Sequence, residues 1–287
     1  MPYSWTTCKI GDTALQAMDF QPELITSPTN PAIKRLRGLD RKKMRQETGL
    51  FLAEGARLVG QGLERGWTAD IVLVASGSLE RDYMRSLVKT ARDKGARVIE
   101  VPERLIAKVT QKDNPQTVVA AFRQDERSLA DLETQAKGLW IALYEVRDPG
   151  NLGTILRTAD CAGVGGVILL ETCCDPYSIE AVRASMGSIF DMPFIAAQFE
   201  AFDAWRKAQG ALMVAASVNG TARHDRIAID GSTVLLMGNE QAGLPDAIEA
   251  RCDTLCLIPM RGGADSLNLA QATAIMTYEA WRQRDFQ

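Results

Sequence analysis

The sequence predicts an α/β protein built in two parts, and three observations carry that expectation. Short apolar runs alternate with amphipathic helical stretches along most of the chain. The alternation breaks once, at the polar, charge-rich stretch Arg123 to Lys137, and then restarts. Beyond the break the strand candidates are continuous apolar runs, which is how strands buried on both faces of a parallel sheet read. A chain of 287 residues, 46% hydrophobic and 24% charged, has the material for two packed cores.

Residues 1–23 show no period and read as an N-terminal extension. The first part, residues 24–122, opens with NPAIKRLRGLDRKKMRQ, which from Asn30 onward reads as one helix. FLAEG follows as a short strand turning into a helix from Gly55 to Arg65. IVLVA (71–75) is a strand, Leu79 to Lys94 a helix, and RVIEV a second strand. Pro102 to Val109 is a short helix opened by proline, and TVVAAF (117–122) a third strand. Residues 123–138 read as a linker with some helical character. In the second part, residues 139–287, the strands are LWIALYEV (139–146), GVILL (166–170), ALMVAA (211–216), TVLLM (233–237) and TLCLI (254–258). Helices between them imply a parallel sheet with right-handed crossovers, in which ligands gather at the carboxyl ends of the strands.

Composition narrows the chemistry. No apolar run approaches the roughly 20 residues of a membrane span, and the first thirty residues hold no signal-like run, so a cytoplasmic protein is expected. The six cysteines (Cys8, Cys161, Cys173, Cys174, Cys252, Cys256) show no paired C-x-x-C spacing and read as reduced thiols, mostly small core residues. His224, the only histidine, lies in the polar stretch TARHDR and reads as a solvated loop residue. Sites needing several imidazoles are therefore excluded, and no metal centre is expected. A net charge of −3 argues against coating nucleic acid by charge alone. Yet Lys34, Arg35, Arg37, Arg41, Lys42, Lys43 and Arg45 stand together against a single Asp40, either as a solvated helix surface or as a face for phosphates.

Three polar clusters begin where strands of the second part stop. In the first, Asp148-Pro149-Gly150 makes a turn and Asn151 is placed to cap a helix whose apolar stripe is Leu152, Ile155, Leu156 and Ala159. Arg157 lies off that stripe. Because helical side chains lean toward the N-terminus, its guanidinium is expected to reach back beside Asn151, although an ordinary surface arginine reads equally well. In the second, Gly238 follows a strand and Glu240 sits in a loop closed by Gly243, where a carboxylate can accept hydrogen bonds and fix neighbouring amides. In the third, a loop through Arg261-Gly262-Gly263 leads to a final helix capped by Asp265 or Ser266, with Leu267, Ala270, Ala274, Tyr278 and Trp281 as its buried face. Ser266 and Asn268 then stand at the helix start.

In this order and spacing, N-L-G-x-x-x-R-T-A, G-N-E-x-x-G-L, and I-P-M followed by S-L-N-x-x-x-A resemble the SpoU (TrmH-like) family of RNA ribose 2'-O-methyltransferases. Upstream, SPTNPAIKRLRGL, FLAEG and DNPQTVVAAF resemble the substrate-binding domain that accompanies the ribosomal-RNA branch, so the likeness runs from about Leu24 to the C-terminus. The resemblance implies an N-terminal α/β substrate-binding domain and a C-terminal SPOUT-type parallel-sheet domain with a trefoil knot. It implies S-adenosylmethionine as cofactor, RNA as partner and a homodimer. By matching position, Gly238, Ile258 and Leu267 would contact the cofactor mainly through backbone, with Met260 close by. Asn151, Arg157, Glu240, Ser266 and Asn268 would form the catalytic surround. Arg183, in EAVRASMGSIFDMPF, would bind RNA phosphate near the target, and the basic segment with Lys34, Arg35, Arg37, Lys42, Lys43 and Arg45 would add contacts.

The implied activity is methylation of a ribose 2'-hydroxyl, in ribosomal RNA by analogy with the accessory domain. Transfer RNA as substrate, or an inactive RNA- or ribosome-binding protein of the same fold, are the alternatives. By resemblance Arg157 is the candidate base, yet an arginine side chain ordinarily keeps its proton. The competing role is electrostatic, with Arg157 stabilising the developing alkoxide.

Overall fold

The computed structural model describes residues 21–132 and 137–286. The expected N-terminal extension lies, up to Phe20, outside the described residues. Two lobes, each built on one sheet, make up the rest.

The small lobe runs β1 (Glu23–Leu24), α1 (Pro31–Gly38), α2 (Lys42–Thr48), β2 (Leu50–Glu54), α3 (Ala56–Glu64), β3 (Ala69–Ala75), α4 (Asp82–Asp93), β4 (Arg97–Val101), α5 (Glu103–Thr110) and β5 (Val118–Arg123). Its sheet order is β1-β4-β3-β5-β2, with β5 antiparallel to both neighbours and the other pairs parallel. The single helix expected from Asn30 is two. Asn30 caps α1 by accepting from the Ala32 amide, but the chain leaves the helix so that Leu39 can be buried beside Leu36. Arg45 then folds back from α2, and its Nη1 donates to the carbonyls of Leu39 and Asp40 at 2.8 and 2.9 Å. A buried guanidinium thus satisfies carbonyls that the turn leaves unpaired.

The large lobe runs β6 (Leu139–Tyr144), α6 (Pro149–Cys161), β7 (Val167–Leu170), α7 (Ile179–Ala184), β8 (Phe194–Ala197), α8 (Phe199–Ala208), β9 (Leu212–Ala216), β10 (Ala222–Arg223), β11 (Thr233–Met237), α9 (Asp246–Glu249), β12 (Thr254–Leu257) and α10 (Leu269–Arg282). Its seven strands lie in the order β10-β12-β9-β11-β6-β7-β8, and every ladder is parallel. From β6 the chain winds outward through β7 and β8, then returns to the other side through β9 and β11. The order therefore reverses between β6 and β11, and a crevice opens at their carboxyl ends.

Three differences from the sequence expectation have physical causes. Edge strands β1, β8 and β10 have two, four and two residues, too short to show a period. The buried face of α10 is Leu269, Ala270, Thr273, Met276, Thr277 and Ala280, so of the expected stripe Ala270 is buried and Trp281 packs partly buried against the core, while Leu267 and Tyr278 are exposed. Apolar residues occur on more than one side of that helix, and Tyr278 is left 44% exposed, whereas Thr273 enters the core by donating Oγ1 to the Leu269 carbonyl.

The third difference is the seam between lobes. Tyr177, Val182, Ile189 and Phe190 of the large lobe belong to the same apolar cluster as Phe51, Leu63 and Phe122 of the small one. The Phe51 and Tyr177 rings lie 4.8 Å apart, and the Trp67 indole donates to the Phe190 carbonyl at 2.9 Å. Gly62 of α3 sits so close that a Cβ would stand 2.8 Å from the Phe122 and Phe190 rings. Gln61 and Arg65 both reach Asp191, and Arg45 reaches Asp175.

Candidate functional site

β6 delivers Glu145 and Val146 to the crevice, and the backbone of Glu145 takes the left-handed conformation at φ 49°. Asp148, not Asn151, caps α6. Its Oδ1 accepts from the Asn151 amide at 2.7 Å, and Pro149 takes the first helical position, where a missing N–H costs nothing. The Asn151 side chain is thereby free for other partners.

β11 delivers the second loop. The Asn239 and Gly243 backbones pair with each other, and Gly243 takes φ 68°. A Cβ on Gly238 would fall 2.5 Å from the Gly243 carbonyl carbon, so only glycine lets this loop fold back on itself. Asn239 Oδ1 accepts from the amides of Gln241 and Ala242, while its Nδ2 donates to the Glu145 carbonyl at 2.7 Å. Its side chain therefore bolts the second loop to the first.

The third loop closes the crevice. Asn268, rather than Asp265 or Ser266, caps α10, with Oδ1 accepting from the amides of Ala270 and Gln271. Its Nδ2 donates to Asn151 Oδ1 at 2.9 Å, and Asn151 Nδ2 donates in turn to Glu240 Oε1 at 3.2 Å. Glu240 also accepts from the amides of Arg147 and Asp148, each at 3.1 Å. One relay, Asn268 to Asn151 to Glu240, ties the three loops together. Burial opposes ionisation of Glu240, but the Arg147, Glu240 and Asp148 amides and the Asn151 side chain outweigh it and hold the carboxyl below its usual range.

The open cleft between the loops has a volume of about 660 Å³, within the range of small-molecule sites, and is lined by residues of all three loops. Asn151, Glu240, Ser266, Leu267 and Asn268 line it, as do Arg147, Asp148, Asn239 and Gln241. Gly238 is buried behind the second loop, and Ile258 packs under the cavity against the core of α6 and α10. Met260 stands 44% exposed on the third loop and does not line the cavity.

Several expected residues stand elsewhere. Arg157 is exposed and outside the lining, so it does not reach back beside Asn151. Six residues separate the two, about 9 Å of helix rise, more than the lean of a side chain recovers here. Arg183 pairs with Glu54 of the small lobe at 2.6 Å. Arg45 is 3% exposed and pairs with Asp175, so it belongs to the seam rather than to a surface footprint. Lys34, Arg35, Arg37, Lys42 and Lys43 are exposed, with Arg35 held by Asp70 and Lys43 beside Glu47.

Sequence reasoning missed Asp148 and Asn239, though both left signals. Asp-Pro is a cap followed by a first-turn proline, and Asn after Gly before a tight loop is an Asx-turn former. It also passed over Gly153, which lies within α6. A Cβ there would stand 2.3 Å from the Ala181 carbonyl oxygen and 2.6 Å from Ala184 Cβ, so this glycine lets α7 cross α6.

A parallel sheet whose carboxyl-end cavity is walled by loops after β6, β11 and β12, with a small α/β lobe packed against it, has the form of an α/β protein that binds a small molecule at the switch point of its sheet. Comparison with known proteins agrees. Residues 138–278 match the SpoU rRNA Methylase family, and residues 30–120 match the MRM3-like substrate binding domain. The chain is 32% identical over 254 residues to the 23S rRNA (guanosine(2553)-2'-O)-methyltransferase RlmP of Bacillus subtilis (strain 168), covering 88% of this chain and 97% of that protein. It is likewise 32% identical to the 23S rRNA (uridine(2479)-2'-O)-methyltransferase of Streptomyces viridochromogenes, over 86% of this chain and 87% of the relative. Among solved structures, the AdoMet-bound rRNA methyltransferase from Sinorhizobium meliloti superposes with a TM-score of 0.86 at 43% identity, covering 92% and 98% of the two chains. The chain belongs to the SpoU rRNA methylase family.

Proposed function

We propose that the chain transfers a methyl group from S-adenosylmethionine to a ribose 2'-hydroxyl of ribosomal RNA. The observation that carries this reading is the Asn268–Asn151–Glu240 relay, which joins the three family motifs around one cavity at the switch point of the sheet. The cavity fits the cofactor. Residues 259–268 are all exposed, and among the described residues the backbone from Met260 to Leu267 makes no backbone hydrogen bond. Those amides and carbonyls are free to pair with the polar edges of a bound nucleoside. Leu267 and the second loop would hold it, with Met260 and Ile258 as neighbours of that segment.

When bound, the cofactor supplies a methyl group already activated by sulfonium charge. What remains is alignment of the ribose hydroxyl and removal of its proton. Asn151 is fixed at both ends of its amide and holds the first loop. Glu240 is a clamp rather than a base, because its oxygens already accept three donors. Ser266 leaves its hydroxyl toward the cavity. Arg157, exposed on the flank of α6, acts electrostatically on the alkoxide once RNA covers that flank, and the proton leaves to phosphate or water.

Residues 24–122 act in this reading as the RNA-docking part and residues 139–287 as the methyltransferase. The full-length likeness to two 23S rRNA 2'-O-methyltransferases, which extends through the small lobe, supports ribosomal RNA over transfer RNA. A second copy covers the exposed Leu267, Ile275 and Tyr278, giving a homodimer with the trefoil knot of the family at its centre. Among the described residues no helix is long and apolar enough to cross a membrane, and the work belongs in the cytoplasm with its substrate.

Calorimetry with S-adenosylmethionine, followed by mapping of 2'-O-methyl groups on unmethylated 23S rRNA incubated with protein and cofactor, tests the reading. Cofactor binding with a new methyl at a discrete ribose is expected. Binding without transfer would assign the chain to the inactive RNA-binding class.

A further inference from the structure

Glu54 ends β2, with its side chain only 2% exposed, at the seam between lobes. Each of its oxygens meets a cation from a different lobe. Lys112 Nζ lies 2.9 Å from Oε2 and Arg183 Nη2 lies 2.6 Å from Oε1. The placement of Lys112 is built into the turn after α5. Gln111 takes the left-handed conformation at φ 54°, and Gln111 Nε2 is anchored on Asp40 at 2.8 Å. The Lys112 amide donates back to the Ala107 carbonyl, which turns the side chain onto Glu54.

One cation would neutralise a buried carboxylate, and Lys112 already does so within the small lobe. The second overcompensates, leaving a group of net charge +1 whose two cations are 33% and 36% exposed. Most of their hydrogen-bonding capacity is unused. An ammonium has three donors and a guanidinium five; Arg183 Nε is buried, so it is the terminal nitrogens of Arg183 and the Lys112 ammonium that can meet a ligand. Glu54 holds Arg183 by a hydrogen bond and Lys112 by charge, so part of their ordering entropy is lost on folding rather than on binding.

The surroundings give the seam a direction. α5 packs beside α1, and both helices carry exposed cations, Lys34, Arg35 and Arg37 on α1 and Arg104 and Lys108 on α5, the helix that Lys112 follows. On the other side Arg183 sits on α7, which crosses α6 at Gly153, two residues beyond Asn151. We propose that Lys112 and Arg183, held by Glu54, form a phosphate clamp for the RNA backbone as it passes from the small lobe to the methyl-transfer cavity. Lys112 is then an RNA-contact residue contributed by the small lobe, and Glu54 is a positioning residue. The proposal rests on the RNA-methyltransferase reading for the identity of the polyanion.

The test uses the full-length protein and 23S rRNA transcribed in vitro. Binding of wild type, Lys112→Met and Lys112→Arg is measured between about 50 and about 200 mM salt, with KM and kcat for methyl transfer, cofactor calorimetry and thermal unfolding alongside. Loss of one phosphate contact should weaken binding by about 5- to 8-fold at ~0.1 M salt and flatten the log K against log salt slope by about 0.7 to 0.9. KM for RNA should rise more than kcat falls, cofactor affinity should hold, and Lys112→Arg should restore the slope. An unchanged slope in Lys112→Met, with the effect confined to the melting temperature, would overturn the clamp and leave a strut between lobes. The slope needs no methyl transfer, so failure of the methyltransferase reading appears in the cofactor and activity arms instead.

Discussion

Glu240 accepts hydrogen bonds from two amides and one side-chain amide of the first loop, so its negative charge is part of the cavity wall. Glu240→Gln would set an NH₂ group against those donors, and both loops should loosen. Cofactor affinity should fall by an order of magnitude or more while the fold persists, a loss that calorimetry and circular dichroism separate. The same carboxyl titrates below its usual value of 4.5. A depressed folded pKa contributes stability that is full above the ordinary value and is lost as pH falls through the depressed one. Cofactor binding should therefore hold down to about pH 4.5 and decline only below it. Asn151, Glu240, Ser266, Leu267 and Asn268 of this wall were legible in the sequence as types and positions, because motif order names them, whereas Asp148 and Asn239 were not. None of their partnerships was. Asp148 and Asn151 are both good caps, as are Ser266 and Asn268, and only the folded geometry decides which one caps and which reaches across.

Helices show a comparable split between what periodicity can and cannot say. The stripe Leu152, Ile155, Leu156, Ala159 is buried as expected, yet Gly153 is buried with it for a different reason. Helix α7 lies directly on it. Gly153→Ala should force the two helices apart against backbone, lowering stability by ~1–3 kcal/mol in urea unfolding and reducing methyl transfer through the displaced Asn151. The basic segment divides in the same way. Lys34, Lys42 and Lys43 project outward, whereas Arg45 is turned inward by its bonds to Leu39, Asp40 and Asp175. A Lys34/Lys42/Lys43→Gln triple variant should flatten the salt dependence of RNA binding with little change in melting temperature. Arg45→Met should do the reverse, lowering stability by ~3–5 kcal/mol because it strands a partly buried Asp175. Charge runs identify a candidate face in sequence, but a single inward arginine within one is invisible until the turn it satisfies is known.

At the scale of the molecule, the polar stretch after Arg123 reads as an inter-domain linker with some helical character, and the folded chain adds to that reading a packed seam between the lobes. The strand FLAEG and the segment around Tyr177 to Phe190 are separated by more than a hundred residues, and no spacing in the sequence relates their apolar side chains. Periodicity reports that a side chain is buried but not against what. Phe190 lies against Phe51, Trp67 and Phe122 of the small lobe at ring distances of 6.0, 5.3 and 5.1 Å. A shared core makes the exposed surface of either lobe alone apolar, so neither should unfold without the other. Calorimetric unfolding is expected to give one transition whose van't Hoff and calorimetric enthalpies agree. Phe190→Ala should remove ~3–5 kcal/mol and resolve that transition into two, because the aromatic joint is lost while each sheet keeps its opposite face packed. Two transitions in the wild type would show the lobes to be thermodynamically separate. That rigidity would matter for the proposed reaction: lobes that move as one body would hold an RNA docked on the small lobe at a fixed separation from the cavity, and that separation, set by the seam, would select which ribose comes within reach of it.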